Sequence, residues 1–368
     1  MNDRNVIGVA SFLNESARYS DLALFEEKLA PGALGQNMTV VSINGAPSDQ
    51  SPGSSTEANL DIQYVIDMAN VIIANASLLI FETCLASHRI LVPEYDHPSL
   101  HGSNEPYLDL LRHLLRLPKE ELPSTISVSY GEDEQMVPRS YARQTCFVIA
   151  QLGARGTSVI VASGDKGVGT ACMKNDGSNM THFPPQFPGA CPWVTSVSGV
   201  RYIDPEQAVC FSSGGFSDLW PRPSYQQEAV EDSLQTQLGD RQKGLFDPHG
   251  RAFPDLSAQS VRYITADAGH MIYEDGTSCA APTFAGIIGL LNAARISSHL
   301  PPFGFLNPWL HSVGKKSLKE IVHIGSTGFY GHFRFEEGLN GSPIVPYASW
   351  NATPGWDSVT GLGTPDFG

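Results

Sequence analysis

The chain has 368 residues, 41% hydrophobic and 17% charged, so it can bury a large core and carries no low-complexity tail. A formal net charge of −15 and a pI near 5.1 argue against nucleic acid and anionic membranes as partners, because phosphate binding needs clustered Lys and Arg. No apolar run reads as long enough to span a bilayer, since even 71–81 is broken by Asn75 and Ser77.

Met1-Asn2-Asp3-Arg4-Asn5 leads straight into a strand at 6–11 with no signal-peptide pattern, so the sequence reads as a mature domain from a longer precursor. A helix at 19–29 and a strand at 38–43 follow. After the Pro-, Ser- and Gly-rich loop 44–55, a helix starts at Thr56. Next come a buried strand at 71–81, a helix at 107–117, a strand at 125–130, a helix at 139–155 and strands at 158–163 and 193–200. The alternation predicts an α/β fold with a mainly parallel central sheet and helices on both faces, as one domain over 1–368.

Three stretches carry chemistry. Glu57 and Asp61 stand four apart on the helix from Thr56, one turn from each other on one face. Alone they read as a solvated face with an acid favoured by the helix dipole; sharing a proton, one becomes a base and the other its orienting partner. The strand at 158–163 ends in Ser163-Gly164-Asp165, where an α/β sheet presents functional groups, although Asp165 on its own fits an Asx turn. Gly276-Thr277-Ser278 precedes Cys279-Ala280-Ala281-Pro282 and an apolar helix. A plain helix cap is the simpler reading, but small residues and a first-turn Pro also suit a serine nucleophile. The Ser278 stretch resembles the active-serine motif of the subtilisin-like clan, yet no His base stands out. Asp96-His97 and His101-Gly102-Ser103 read as a polar surface loop.

Together the three stretches resemble the sedolisin family of serine-carboxyl peptidases, closest to the fungal and lysosomal tripeptidyl peptidases. Ser127-Val128-Ser129-Tyr130-Gly131, Phe211-Ser212-Ser213-Gly214-Gly215, Pro254-Asp255-Leu256-Ser257 and Gly355-Trp356-Asp357 extend the likeness over nearly the whole chain. The resemblance implies a subtilisin-like fold and acid-active peptide hydrolysis through an acyl-enzyme. An endopeptidase of the same family and a catalytically silent peptide-binding homologue are the alternatives. It implies Ser278 as nucleophile, Glu57 as base, Asp61 as its partner, and a protonated Asp165 as oxyanion donor. Ser127, Ser129, Tyr130, Gly131, Glu132 and Asp133 become substrate-binding candidates, with the acidic run 132–134 offering a carboxylate to the α-amino group of a peptide. Glu320, Ile321, Thr353, Gly355 and Asp357 become a Ca²⁺ site of hard oxygen ligands.

The resemblance also implies a pro-segment acting as inhibitor and folding aid, a peptide or protein substrate, and a monomeric enzyme. Lys166 stands where the family usually has Ser, Asp275 where it has Gly, and Glu320 where it has Asp; an ammonium next to Asp165 favours the ionised form. Six Asn-x-Ser/Thr sequons, at Asn14, Asn37, Asn75, Asn179, Asn340 and Asn351, point to the secretory route and to a secreted or lysosome-like acidic location. Among the six cysteines, Cys172 and Cys191 bracket a Gly/Asn/Pro-rich loop and make the best disulfide pair. Cys84, Cys146 and Cys279 read as buried thiols.

Overall fold

In the computed structural model, which describes residues 5–70, 77–83, 105–169, 172–328 and 343–366, the apolar runs become strands and the amphipathic stretches become helices. In chain order these are β1 (Val6–Ser11), α1 (Tyr19–Lys28), β2 (Met38–Ile43), α2 (Thr56–Asn70), β3 (Ser77–Thr83), α3 (Tyr107–Arg116), β4 (Thr125–Val128), β5 (Glu132–Asp133), α4 (Arg139–Ala154), β6 (Ser158–Ala162), β7 (Gln186–Phe187) and β8 (Thr195–Arg201). There follow β9 (Gln207–Ala208), β10 (Gly215–Pro221), α5 (Gln227–Asp232), β11 (Gly250–Phe253), β12 (Leu256–Gln259), the hairpin β13 (Tyr263–Asp267) and β14 (His270–Glu274), and α6 (Thr277–Ser297). The main sheet runs β12-β8-β6-β4-β1-β3-β2 with every neighbouring pair parallel, and β9 adds to β8 antiparallel.

The inner strands β1, β4, β6 and β8 are buried along nearly their whole length because both faces are covered, while the edge strand β2 is partly exposed. Ile7, Val9, Ile80, Ile160, Ala162, Val197 and Leu256 pack against α1, α2 and α6 on one face. Their alternates Ala10, Phe81, Ile126, Val128, Val159 and Val161 pack against α3 and α4 on the other. The fold is therefore the expected α/β sandwich with a mainly parallel sheet. A third cluster, including Val168, Phe216, Trp350 and Trp356, closes the end formed by the C-terminal segments.

Small residues let α6 lie close to its neighbours: a Cβ at Gly286 would run into Met68 of α2, and one at Gly289 into Ile7 of β1. With 21 residues and a mean hydropathy of 1.4, α6 does have the length and composition of a bilayer span, which corrects the sequence reading. It is a core helix instead, and 61% of its most apolar window is buried in the fold.

Three further expectations change. The strand read at 71–81 begins at Ser77, because α2 continues to Asn70, and 71–76 lie outside the described residues. The strand read at 125–130 leaves the sheet after Val128, freeing Ser129, Tyr130 and Gly131 from the ladder. Cys191 is bonded to Cys146, not Cys172, with the two Cα atoms 5.8 Å apart. The reason lies in the layers: Cys146 of α4 and Cys191 share one core cluster, whereas Cys172 belongs to the C-terminal one and stays free, as does the buried Cys279. Cys84 and the 96–103 loop lie outside the described residues.

Candidate active site

The C-terminal ends of parallel strands are where this class of sheet gathers function, and β1, β4 and β6 end at one place here. Ser278 is the second residue of α6 and is 9% exposed. Its Oγ lies 3.4 Å from the carbonyl oxygen of Ser129, just past β4, and its hydroxyl also hydrogen-bonds to the Glu57 carboxyl in the first turn of α2. One turn on, Asp61 is fully buried and accepts a 2.7 Å bond from Ser129 Oγ. Asp165, which follows β6 and faces the cleft, accepts the Thr277 backbone N–H at 2.7 Å. Gly276 makes that approach possible, since a Cβ there would sit 3.2 Å from Asp165 Oδ2. The structure thus brings Ser278, Glu57, Asp61 and Asp165 together from three places, α6, α2 and the loop after β6.

All three acids are held above the usual carboxylate range. For Glu57 the main cause is burial, followed by the charge of Asp61, and a hydrogen bond from Ser278 offsets only part of it. Burial likewise raises Asp61 against the bond from Ser129. The buried Glu57 Oε1 and Asp61 Oδ2 have no hydrogen-bond partner, an arrangement too costly for two ionised carboxylates, so the pair retains a proton. Crowding by protein atoms raises Asp165 although Thr277 and, least of all, Lys166 pull the other way. The Lys166 ammonium lies 3.4 Å from Asp133 Oδ1.

Sequence reasoning missed a third acid at the base pair. Glu15, in the turn after β1, accepts the Ala58 N–H at 3.1 Å, and its charge adds to the rise of both Glu57 and Asp61. The signal was its place just beyond a parallel strand's C-terminal end; the neighbouring sequon at Asn14 drew the reading to glycosylation instead.

Among the substrate-binding candidates, Ser127 sits inside the sheet, fully buried between β1 and β6. Ser129 and the exposed Gly131 border the site, while Tyr130 is buried with its ring against Phe12. Gly131 must be small because a Cβ would lie 3.0 Å from the Phe187 carbonyl oxygen. Asp133 is committed to Gln186, at 2.6 Å, and to Lys166. Glu132 is pushed up by burial and by the charge of Glu105, with which it hydrogen-bonds. Glu134 is buried beneath them, bound to Ser217, Asp218 and Leu219.

Far from Ser278 in sequence, Glu320 and Asp357 both hold the loop 353–360. Glu320 accepts the Gly355 N–H, and Asp357 accepts from Thr353, Val359 and Thr360. Burial nevertheless pushes Asp357 up to about 7 against these hydrogen bonds, and the buried Thr353 Oγ1 lacks a partner. This donor set fits a hard, oxygen-preferring ion. Among the described residues there is no group of three or more His, Cys, Asp or Glu side chains suited to a metal, so backbone carbonyls would have to complete it.

A subtilase-family profile matches residues 66–302. The chain belongs to the subtilase family. The match includes Asp165 and Ser278 but starts after Glu57 and Asp61, so the base-carrying turn lies outside it. The chain is 49% identical over 366 residues to the probable tripeptidyl-peptidase SED3 of Arthroderma benhamiae, a match covering 99% of this chain and 60% of the relative. It is 48% identical over 367 residues to the tripeptidyl-peptidase SED2 of Arthroderma otae, with the same coverage of each. It therefore spans about 60% of the length of the curated relatives it matches. Among solved structures, Pseudomonas sedolisin, a serine-carboxyl proteinase complexed with pseudo-iodotyrostatin, superposes with a TM-score of 0.64 at 20% identity, covering 98% of this chain and 90% of that one. Sphericase gives 0.52 at 15% identity, covering 99% and 94%. Both share the subtilisin-like fold.

Proposed function

We propose that this subtilase is an acid-active serine-carboxyl peptidase that releases tripeptides from free N-termini. The observation that carries the reading is the Ser278 hydroxyl hydrogen-bonded to a buried, proton-retaining Glu57–Asp61 pair, with Asp165 facing the same cleft. Ser278 Oγ attacks the scissile carbonyl while Glu57 takes its proton, and Asp61 holds Glu57 and shares the charge. Asp165, neutral at acid pH, donates its proton as a hydrogen bond to the developing oxyanion, which an ionised carboxylate cannot do. The tetrahedral intermediate collapses, Glu57 protonates the departing amine, and the acyl group stays on Ser278. Water then attacks the ester while Glu57 takes its proton, and Glu57 passes that proton to Ser278 Oγ as the acyl–oxygen bond breaks and the acid leaves. The hydrogen bond between Ser278 and Glu57 supports a carboxylate in the base role.

For the α-amino group of the peptide, Glu132 with Glu105 is the acceptor of choice, because Asp133 is already bound by Lys166 and Gln186. Glu320, Asp357 and the backbone of Ile321, Thr353 and Gly355 would hold Ca²⁺, whose part is to brace the C-terminal loop. The named relatives support tripeptide release. A Cys146–Cys191 disulfide and sequons whose four described asparagines, Asn14, Asn37, Asn179 and Asn351, are all exposed support secretion as a glycoprotein. We read the domain as one unit over 1–368, monomeric, working in an acidic compartment after removal of a pro-segment.

The test is product analysis at acid pH. Mass spectrometry of a digest of a free-amino peptide should show successive tripeptides, and acetylating its N-terminus should abolish most turnover. Equal cleavage of both peptides would make it an endopeptidase, and failure of an active-serine reagent to label Ser278 would leave a peptide-binding module.

A further inference from the structure

The catalytic reading uses neither Asp267 nor the β13–β14 hairpin, yet this hairpin is bonded to the base helix more densely than packing requires. Asp267 Oδ1 accepts the Ser55 backbone N–H at 2.8 Å and Asn59 Nδ2 at 2.9 Å. Its Oδ2 accepts Ser54 Oγ at 2.7 Å and Thr56 Oγ1 at 3.2 Å. Two turns up, Gln63 exchanges hydrogen bonds with both backbone groups of Ala266, and Tyr64 does the same with Ile264. The hairpin turn itself is tied to α1, since Ala268 and Gly269 donate their N–H groups to Asp21. One strand later the same chain becomes Gly276-Thr277-Ser278. A single hairpin therefore spans the first turn of α2, which carries Glu57, and the start of α6, which carries the serine.

We propose that Asp267 is the positioning residue that fixes the Glu57 turn against Ser278. The proposal rests on the serine-carboxyl reading for its kinetic consequence but not for its structural one. Asp267 suits the role because it stays an acceptor where the reacting acids do not. Although burial works against it, donors from Ser54, Ser55, Asn59 and Thr56 hold its carboxyl below the usual range. Around it the charged or titratable groups are Asp21 on α1, which shares the Asn59 amide, His270 opposite in the hairpin, and Glu274 on β14. No cation pairs with Asp267 among the described residues, so its charge is held by hydrogen bonds alone. When it protonates at low pH, Oδ1 still accepts from Ser55 and Asn59 and the new O–H on Oδ2 turns to the Ser54 or Thr56 hydroxyl, the same pattern an Asn side chain would make.

The test compares Asp267→Ala, Asp267→Asn and the unsubstituted protein by hydrogen exchange of the 55–59 amides and by kcat and KM against pH, normalised to labelled serine. Asp267→Ala is expected to lose protection at Ser55 and to drop kcat by roughly 10- to 100-fold with little change in KM, as for a small misplacement of a reacting group. Asn keeps one acceptor oxygen and offers N–H groups to the Ser54 and Thr56 hydroxyls. It should therefore recover most of kcat and restore protection at Ser55. Preserved Ser55 protection in Asp267→Ala, or a loss of kcat that Asn does not rescue, overturns the proposal. If the unsubstituted protein shows no acid turnover, the peptidase reading fails, and hydrogen exchange still decides the pin.

Discussion

Glu134→Gln isolates what a buried acid does to stability as pH rises. Glu134 is 2% exposed and accepts Ser217 Oγ at 2.6 Å and the N–H groups of Asp218 and Leu219 at 2.8 and 3.2 Å. Burial outweighs these bonds and pushes its carboxyl from 4.5 to about 8. Below about pH 4.5 the group is protonated in folded and unfolded chains alike and has no differential effect. As pH rises the unfolded chain releases the proton first, so stability falls until the folded carboxyl ionises near 8. At 1.36 kcal/mol per unit, the loss between pH 4.5 and 7.5 comes to roughly 4 kcal/mol from this one side chain. Gln keeps the acceptor oxygen and cannot ionise. Denaturant unfolding in a Ser278→Ala background, which prevents self-digestion, should give a variant within about 1 kcal/mol of its parent at pH 4.5. At pH 7.5 the same variant should be the more stable of the two by a few kcal/mol. Parallel pH dependences for the two proteins would refute the reasoning.

Other outcomes follow from the same structure. Ser278→Ala and Glu57→Gln should each remove nearly all turnover, and the double variant should be scarcely worse, because groups acting as one unit are not additive; steady-state rates check this. Asp165→Asn keeps a donor at the oxyanion and should impair kcat less than Asp165→Ala, while flattening the alkaline limb of the pH profile that ionisation of Asp165 otherwise sets. Replacing Cys146 and Cys191 by Ala opens a loop of 45 residues and should cost about 4 kcal/mol in denaturant unfolding. Chelation should lower the melting temperature, and Asp357→Asn should abolish that response; a melt indifferent to chelator counts against Ca²⁺ at the 353–360 loop.

Much of the site was legible because its residues sit where local rules put them. The spacing of Glu57 and Asp61 places both on one helical face, Asp165 ends an apolar strand, and Ser278 opens a helix of small residues. What sequence could not supply was the partner across the fold. Glu15 reaches Ala58, 43 residues away, and Asp267 reaches Ser55, 212 residues away, so neither shows in any local pattern. The disulfide was misread for the same reason. Cys172 lies nearer to Cys191 along the chain, but it packs in a different layer. Ser127 reads as part of a substrate strand, yet a parallel partner on each side consumes its backbone, and only after Val128 does the chain turn toward the cleft. Lys166 does pull Asp165 toward the ionised form, as its place in the sequence suggests, but burial outweighs it.

The most direct test of the carboxylate-activated serine is the pH dependence of kcat/KM for a free-amino tripeptide substrate, measured for the unsubstituted protein and for Glu57→Gln. A bell on the acid side, falling toward neutrality as Asp165 ionises and nearly erased by Glu57→Gln, is the expected result. A maximum near pH 8 that ignores the substitution would contradict the mechanism and require a histidine base.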